Sequence, residues 1–264
     1  MLYFDSHFSI GRTHLVCEDY ARRGISTFPW VMVSDGCSAS EDSDIGSRLL
    51  TLAAQKCLSQ LNGLPNYHNF GKQVISHAAK LAHNLNLPDN ALDATLLLAI
   101  AKGRMVYIYI YGDGFIVLKD QKQQWQTIEI SFTQNAPFYL SYWLHEDYRQ
   151  TYQNLCNESN TLKIQDNQKS ILYPFDKSVQ YVFSLDDYPL IGIVSDGLSK
   201  FVNMVDYKAI STETLLPILF DFPSLAGSFV KRRLPAVLRN LEKENILPFD
   251  DFSMGVFVDV ISSS

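Results

Sequence analysis

The sequence predicts a layered α/β domain in which sheet packs on sheet and helices lie outside, and three observations predict it. Residues 105–111 alternate Val106, Ile108 and Ile110 with Tyr107, Tyr109 and Tyr111. Both faces of that strand are therefore apolar or aromatic, and each needs a covering layer. Strand and helix patterns come in blocks: strands, two helices, strands, two helices and a final strand. Three apolar strands also run into the same ending, at Asp35-Gly36, Asp113-Gly114 and Asp196-Gly197.

Residues 30–33 form the first strong strand signal. A helix follows over 43–62, where Leu49, Leu50, Ala53, Ala54, Cys57, Leu58 and Leu61 recur at three- and four-residue intervals, with Ser43 or Asp44 as its cap. A second helix over 70–85 aligns Val74, Ala78, Leu81 and Leu85. Beyond Pro88 the period shortens. The apolar run 95–101 reverses at Lys102-Gly103 into 105–111, and 115–118 and 125–130 extend it as an antiparallel meander. Residues 131–178 show no sustained period and read as irregular. Residues 190–194 are a strand, 206–219 and 225–244 are helical, and 254–261 are the last strand. Pro235 is expected to bend the second of those helices or end its first part.

The 264 residues are 47% hydrophobic and contain no Pro/Gly/Ser-rich linker, so a single domain over 1–264 is expected. The 28 acidic residues outnumber the 22 basic ones, giving a charge of -6, which argues against a nucleic-acid partner. Lys231-Arg232-Arg233 is the clearest basic run and reads as a solvated helix face, with docking as the alternative. Cys17, Cys37, Cys57 and Cys156 lie far apart without CxxC spacing, which excludes thiolate zinc and a disulfide scaffold. The first residues lack a basic segment followed by an apolar run, and no apolar stretch approaches spanning length, so a cytoplasmic protein without membrane partners is expected.

An Asp-Gly pair is ordinarily a turn. The set asks for more. Neighbouring strands end side by side, so these aspartates, together with Asp250-Asp251 before the last strand, would converge and repel unless a cation or proton compensated them. Carboxylates and turn carbonyls suit Mg²⁺ or Mn²⁺ better than zinc. Glu18-Asp19, which alone would be surface charge, could hold a second ion. Ser34 and Ser195 precede Asp-Gly but lack a nucleophile elbow and a following triad histidine. Cys17 and Cys37 flank acids, which disfavours a thiolate. His68, His77 and His83 have no carboxylate spacing for a metal cage.

Taken in order, Glu18-Asp19, Ser34-Asp35-Gly36, Thr95, Gly112-Asp113, Ser195-Asp196-Gly197 and Asp250-Asp251-Phe252-Ser253 resemble the metal-dependent protein phosphatase 2C family, in its divergent bacterial branch, from about Gly11 to Val258. The resemblance implies an α+β fold, a four-layer α-β-β-α sandwich of two antiparallel sheets packed face to face and flanked by helices. It implies two Mn²⁺ or Mg²⁺ ions at one edge. Asp35 would bridge them, Asp196 and Asp250 would complete the first site, and Glu18 and the Gly36 carbonyl would serve the second. Asp19 would hold a metal-bound water, and Asp113 is the candidate for a weaker third metal position.

The chain departs from the family pattern at three places. His14 stands where an arginine usually grips the substrate phosphate, Gly114 where an arginine usually follows the middle Gly-Asp, and Lys200 where a third-metal aspartate is usual. His14 could contact the phosphate or donate a proton, or be structural; Arg12 is a second phosphate-binding candidate, or simply exposed. The resemblance implies hydrolysis of phosphoserine or phosphothreonine by a metal-activated water, with no covalent phosphoenzyme. Its partners would be a phosphorylated protein and a serine/threonine kinase or that kinase's targets. Two alternatives are a catalytically silent binding module of the same fold and a phosphatase of small phosphorylated metabolites.

Overall fold

The computed structural model describes residues 1–155, 161–166 and 169–260; Cys156 and Ile261 lie outside them. Side-chain alternation decides the layers. In β3 (Pro29–Ser34), Val31 and Val33 face one way and Trp30 and Met32 the other. In β4 (Leu96–Lys102), Leu97, Ala99 and Ala101 oppose Leu96, Leu98 and Ile100, and β5 (Met105–Tyr111) divides Val106, Ile108 and Ile110 from Tyr109 and Tyr111. Flanked by β2 (Tyr20–Ile25) and β10 (Val179–Ser184), they form a sheet in the order β10-β5-β4-β3-β2.

The second sheet contains β1 (Leu2–Ser9), β15 (Phe252–Asp259), β11 (Leu190–Val194), β6 (Gly114–Lys119), β7 (Trp125–Phe132), β8 (Thr161–Asp166) and β9 (Lys169–Pro174), in that spatial order. All pairings in both sheets are antiparallel. Ile116, Leu118, Ile128, Ile191, Ile193 and Phe257 of this sheet share one core with Val31, Val33 and Leu97 of the first. The helices α1 (Ser43–Ser59) and α2 (Tyr67–Asn84) cover the outer face of the first sheet. The outer face of the second is covered by α4 (Thr212–Leu219) and α5 (Phe229–Lys243). The result is the four-layer α-β-β-α sandwich. The helix α3 (Glu146–Leu155) and a small sheet of β12 (Phe201–Asn203), β13 (Lys208–Ala209) and β14 (Ile246–Pro248) complete the described residues.

Several expectations are corrected. The strand after Asp113 does not extend one meander, because β5 and β6 belong to different sheets. The crossing is made at Gly112 and Gly114, whose φ values are 95° and 137°, conformations that side chains disfavour. A Cβ on Gly114 would also lie 2.7 Å from the Val194 carbonyl, so no arginine fits there. The helix expected over 206–219 begins only at Thr212, where Ser211 accepts a hydrogen bond from the Thr214 N–H. Upstream, Asn203 and Asp206 bind the N–H groups of Val205 and Lys208, which favours turns over helix. Pro235 neither ends nor divides α5. Residues 131–178 hold β8, β9 and α3 rather than an irregular run. Neither Ser43 nor Asp44 caps α1; Asp42 occupies that position with φ 55° and no side-chain bond.

The strand β1 was not apparent in the sequence, yet it ties three elements together. Its Asp5 is buried, accepts hydrogen bonds from the Val230 and Lys231 N–H groups at 2.7 and 3.3 Å, and meets Arg23 Nε of β2 at 2.9 Å. Two otherwise unpaired donors at the amino end of α5 are satisfied from another sheet strand. Replacing Asp5 with alanine leaves those donors without a partner and removes the ion pair of Arg23, which keeps only its bonds to the Phe4 carbonyl and Ser228. Asp5→Ala is expected to lower the unfolding free energy by about 2–3 kcal/mol, read from the urea midpoint, while Asp5→Asn retains part of that loss.

Candidate metal centre

Every Asp-Gly ending lies at one edge of the sandwich. Asp35 follows β3, Asp113 joins β5 to β6, Asp196 follows β11, and Asp250-Asp251 precede β15. Glu18-Asp19 enter β2, and the Gly36 N–H donates to the Glu18 carbonyl at 3.2 Å, joining the two segments. Asp35 is fixed at its backbone: its N–H donates to Thr95 Oγ1 at 3.0 Å, its carbonyl accepts from the Thr95 N–H at 2.8 Å, and Ser34 Oγ donates to the Thr95 carbonyl. Only the carboxyl group is left to act.

These carboxyls face one another. Burial raises Asp35 well above the ordinary carboxylate range, and Asp19, Asp196 and Asp113 raise it further. Asp19 and Asp196 both adjoin Asp35. Burial and then Asp196 raise Asp113 and Asp250 in the same way. Asp19 is completely buried and is pushed up to about 7, chiefly by burial. Its Oδ2 accepts from Ser195 Oγ at 2.7 Å, and Ser195 Oγ accepts from the Ser253 N–H at 2.9 Å. Its Oδ1 has no donor among the described residues, although Asp35 stands next to it. Two ionised carboxylates cannot bond each other without a proton or a cation between them.

Asp251, which the sequence groups with Asp250 but gives no role of its own, organises the opposite wall. It is buried, and its oxygens accept from the Gly11, Glu18 and Asp19 N–H groups at 2.7, 2.5 and 3.4 Å. Ser43 and Ser38 donate to the two oxygens of Glu18 at 2.7 and 2.5 Å, which explains why Ser43 is not a cap. His14 Nδ1 lies 3.1 Å from Asp251 and 3.4 Å from Glu18, and its Nε2 lies 3.3 Å from Asp250. Burial alone would lower its pKa, but Asp251, Asp250 and Glu18 outweigh it and raise the imidazole. His14, Glu18 and Asp251 each offer an atom within 4.8 Å of the others. The oxygens of Asp251 and Glu18 are nevertheless engaged by N–H and hydroxyl donors, whereas Asp19 Oδ1 accepts no hydrogen bond among the described residues.

Lys200 Nζ lies 3.6 Å from Asp196 Oδ2 and also faces Asp113. Arg12 is exposed; its backbone N–H donates to the Pro248 carbonyl at 2.8 Å, and its side chain is not brought into the carboxyl cluster. Buried Tyr139, from the stretch expected to be irregular, adjoins Asp113, Asp35 and Cys37. Ser141 and Ser40 both donate to Asp93, linking that stretch to the loop after Asp35. Burial, Asp251 and Asp19 push the Cys17 thiol up, against a thiolate. Gly197 presses so close to Asp251 that a Cβ would sit 1.9 Å from its carbonyl.

An edge of one sandwich carrying Glu18, Asp19, Asp35, Asp113, Asp196, Asp250 and Asp251, with His14 and Lys200 as its cations, fits hard, oxygen-seeking divalent ions. The orphaned Asp19 oxygen is the observation that carries the fit. The sequence profile described as Protein phosphatase 2C matches residues 9–239, and the chain belongs to that family. It is similar in fold to the serine/threonine phosphatase of S. agalactiae, at 14% identity, with 98% of this chain and 100% of that one covered and a TM-score of 0.62. It is also similar to the serine/threonine phosphatase Stp1 from Staphylococcus aureus, at 14% identity, 99% and 96% coverage and a TM-score of 0.59. The third likeness is to the Mycobacterium tuberculosis serine/threonine phosphatase PstP/Ppp, at 16%, 97% and 98%, and 0.57. No curated protein matches the sequence. Among the described residues no helix is long and apolar enough to cross a membrane.

A carboxyl whose folded pKa lies above its unfolded value costs the fold most when both states are ionised. The folded form binds the extra proton as pH falls between the two values, so stability rises on acidification. Asp19, at about 7 against an ordinary 3.8, places that window, and the raised His14 acts in the same direction. The metal-free protein is expected to gain melting temperature from pH about 8 to about 5. Saturating Mn²⁺ should flatten that slope, as read by differential scanning fluorimetry.

Proposed function

We propose that this protein is a serine/threonine phosphoprotein phosphatase that works with two Mn²⁺ or Mg²⁺ ions. The placing of half-buried Asp35 beside Asp19, Asp196 and Asp113 supports the reading, because it gives a divalent cation both charge and oxygen ligands. Asp35, Asp196 and Asp250 would hold the first ion and share Asp35 with the second, served by Glu18 and the Gly36 carbonyl. Bound ions of this kind neutralise phosphoryl oxygens and lower the pKa of water for attack on phosphorus. Asp19, fixed by Ser195, would orient that water and take its proton through the free Oδ1. His14, whose acidic neighbours favour its protonated form, would contact the phosphate or protonate the leaving oxygen of the serine or threonine. Arg12 would approach the phosphate from the exposed loop. The substrate would be a phosphorylated target of a serine/threonine kinase, or that kinase itself.

The third position is read differently. Asp113 is the carboxyl for a third ion, but the Lys200 ammonium already faces it and Asp196. A tethered cation there would replace a diffusible one. Calorimetric titration is expected to give a stoichiometry of about two Mn²⁺ for the natural chain and about three for Lys200→Asp.

The salt bridges of His14 and Lys200 to the same carboxyls favour a second reading, a silent binding module whose acids are internally compensated. Hydrolysis of a phosphopeptide separates the two. With excess Mn²⁺ the natural chain should turn it over, and Asp35→Asn or Asp196→Asn should each lose more than about 100-fold in kcat/KM. Absence of both turnover and metal uptake by the folded natural chain would leave the silent module.

A further inference from the structure

A groove of about 450 Å³ opens beside the carboxyl cluster, between the loop after β1, the second half of α5 and β14. We propose that it docks the chain flanking the phosphorylated residue, and that it selects an extended segment carrying apolar and acidic side chains. The inference rests on the phosphatase reading above and adds the substrate class. His14 makes the connection, since it lines the groove and also contacts Glu18, Asp250 and Asp251. A peptide lying in the groove would therefore bring its phosphate to the cluster. The floor is rigid: the loop is bound to β14 and the residue after it through Arg12 N–H to Pro248 and Thr13 N–H to Phe249.

Chemistry selects the occupant. Ile10, Leu238, Leu247 and Pro248 supply an apolar wall, and Leu15 and Val16 extend apolar surface beyond His14, at 99% and 53% exposure. Arg12 and Arg239 line the same groove, and among the described residues neither guanidinium has an ion-pair or hydrogen-bond partner. The contrast within α5 is informative. Arg232 donates to the Ala226 and Ser224 carbonyls, and Arg233 to Asp221, so both arginines of the basic run are committed to the chain's own loop. Arg239 is not. Glu242 is the acidic residue of the lining, which leaves the groove net positive on a chain of charge -6. Unpaired guanidiniums beside apolar surface recognise carboxylates with aliphatic neighbours. A polyanion such as RNA would meet repulsion from the rest of the surface.

The test compares three substrates with the natural chain and Arg239→Glu, in Mn²⁺. They are a phosphoserine peptide with leucine and glutamate flanks, the same peptide with lysine for glutamate, and p-nitrophenyl phosphate, which cannot reach the groove. Arg239→Glu is expected to lower kcat/KM about tenfold on the acidic peptide, mostly through KM. The same change should improve the lysine peptide and leave p-nitrophenyl phosphate unaltered. Equal loss on all three, or no discrimination between the peptides, would overturn the proposal. Fluorescence anisotropy of the acidic peptide with plain serine reads docking without turnover. If the natural chain is inert on every substrate, the phosphatase reading fails. In that case the anisotropy decides the groove: binding weakened by Arg239→Glu supports it, and equal or absent binding overturns it.

Discussion

Mutual repulsion among carboxyl groups governs this molecule. Asp19, Asp35, Asp113, Asp196 and Asp250 act on one another in a setting that ranges from fully buried at Asp19 to half-buried at Asp196 and Asp250. Ionised together without a counter-ion, they would push the sheet ends apart. The fold withstands this because each acid is anchored through atoms other than the repelling ones. Thr95 holds the Asp35 backbone, Ser195 holds one oxygen of Asp19, and Asp251 gathers the N–H groups of Gly11, Glu18 and Asp19. The sandwich core, two sheets sharing Val31, Leu97, Ile116 and Ile193, is the stiff body from which those anchors extend.

Cations that belong to the chain relieve part of the strain and divide the site. His14 sits on the Glu18, Asp250 and Asp251 side, and Lys200 on the Asp196 and Asp113 side. Between them, Asp35 and the free oxygen of Asp19 receive no positive group. The middle of the cluster is therefore where a divalent ion, if bound, would gain most. The serines beside the Asp-Gly endings, which invite a nucleophile reading, are consumed as supports. Ser195 serves Asp19, and Ser34 serves Thr95.

The layering was legible because its signals are periodic. Alternation in residues 105–111 named both faces of a central strand, and repeated Asp-Gly endings named the edge that strands share. What escaped depends on partners distant in sequence. The strand β1 lacks a clean alternation, being half-buried along most of its length, and its pairing with β15 leaves no local trace. Asp251 looked like the second member of an acidic doublet, since its role lies in N–H groups more than 230 residues away. Ser43 has cap chemistry and was read as one, but Glu18 captures it. Tyr139 lay hidden in a stretch whose order comes from packing and the Ser141–Asp93 bond rather than from any period. The change of sheet at Gly112-Asp113-Gly114 was masked because either path begins with the same turn residues.

The pairing of Leu2 with Asp259 and of Ser9 with Phe252 has a consequence for how the molecule is made. On the ribosome, β1 emerges before β15 and must wait, edge exposed, until the intervening residues have been made before its neighbour appears. Asp250 and Asp251 arrive equally late to meet Glu18 and His14. Contacts of such long range slow folding, and a nascent chain that still lacks Asp250 and Asp251 cannot assemble the cluster. Translation itself thus delays completion of the site until Asp250 and Asp251 have been made.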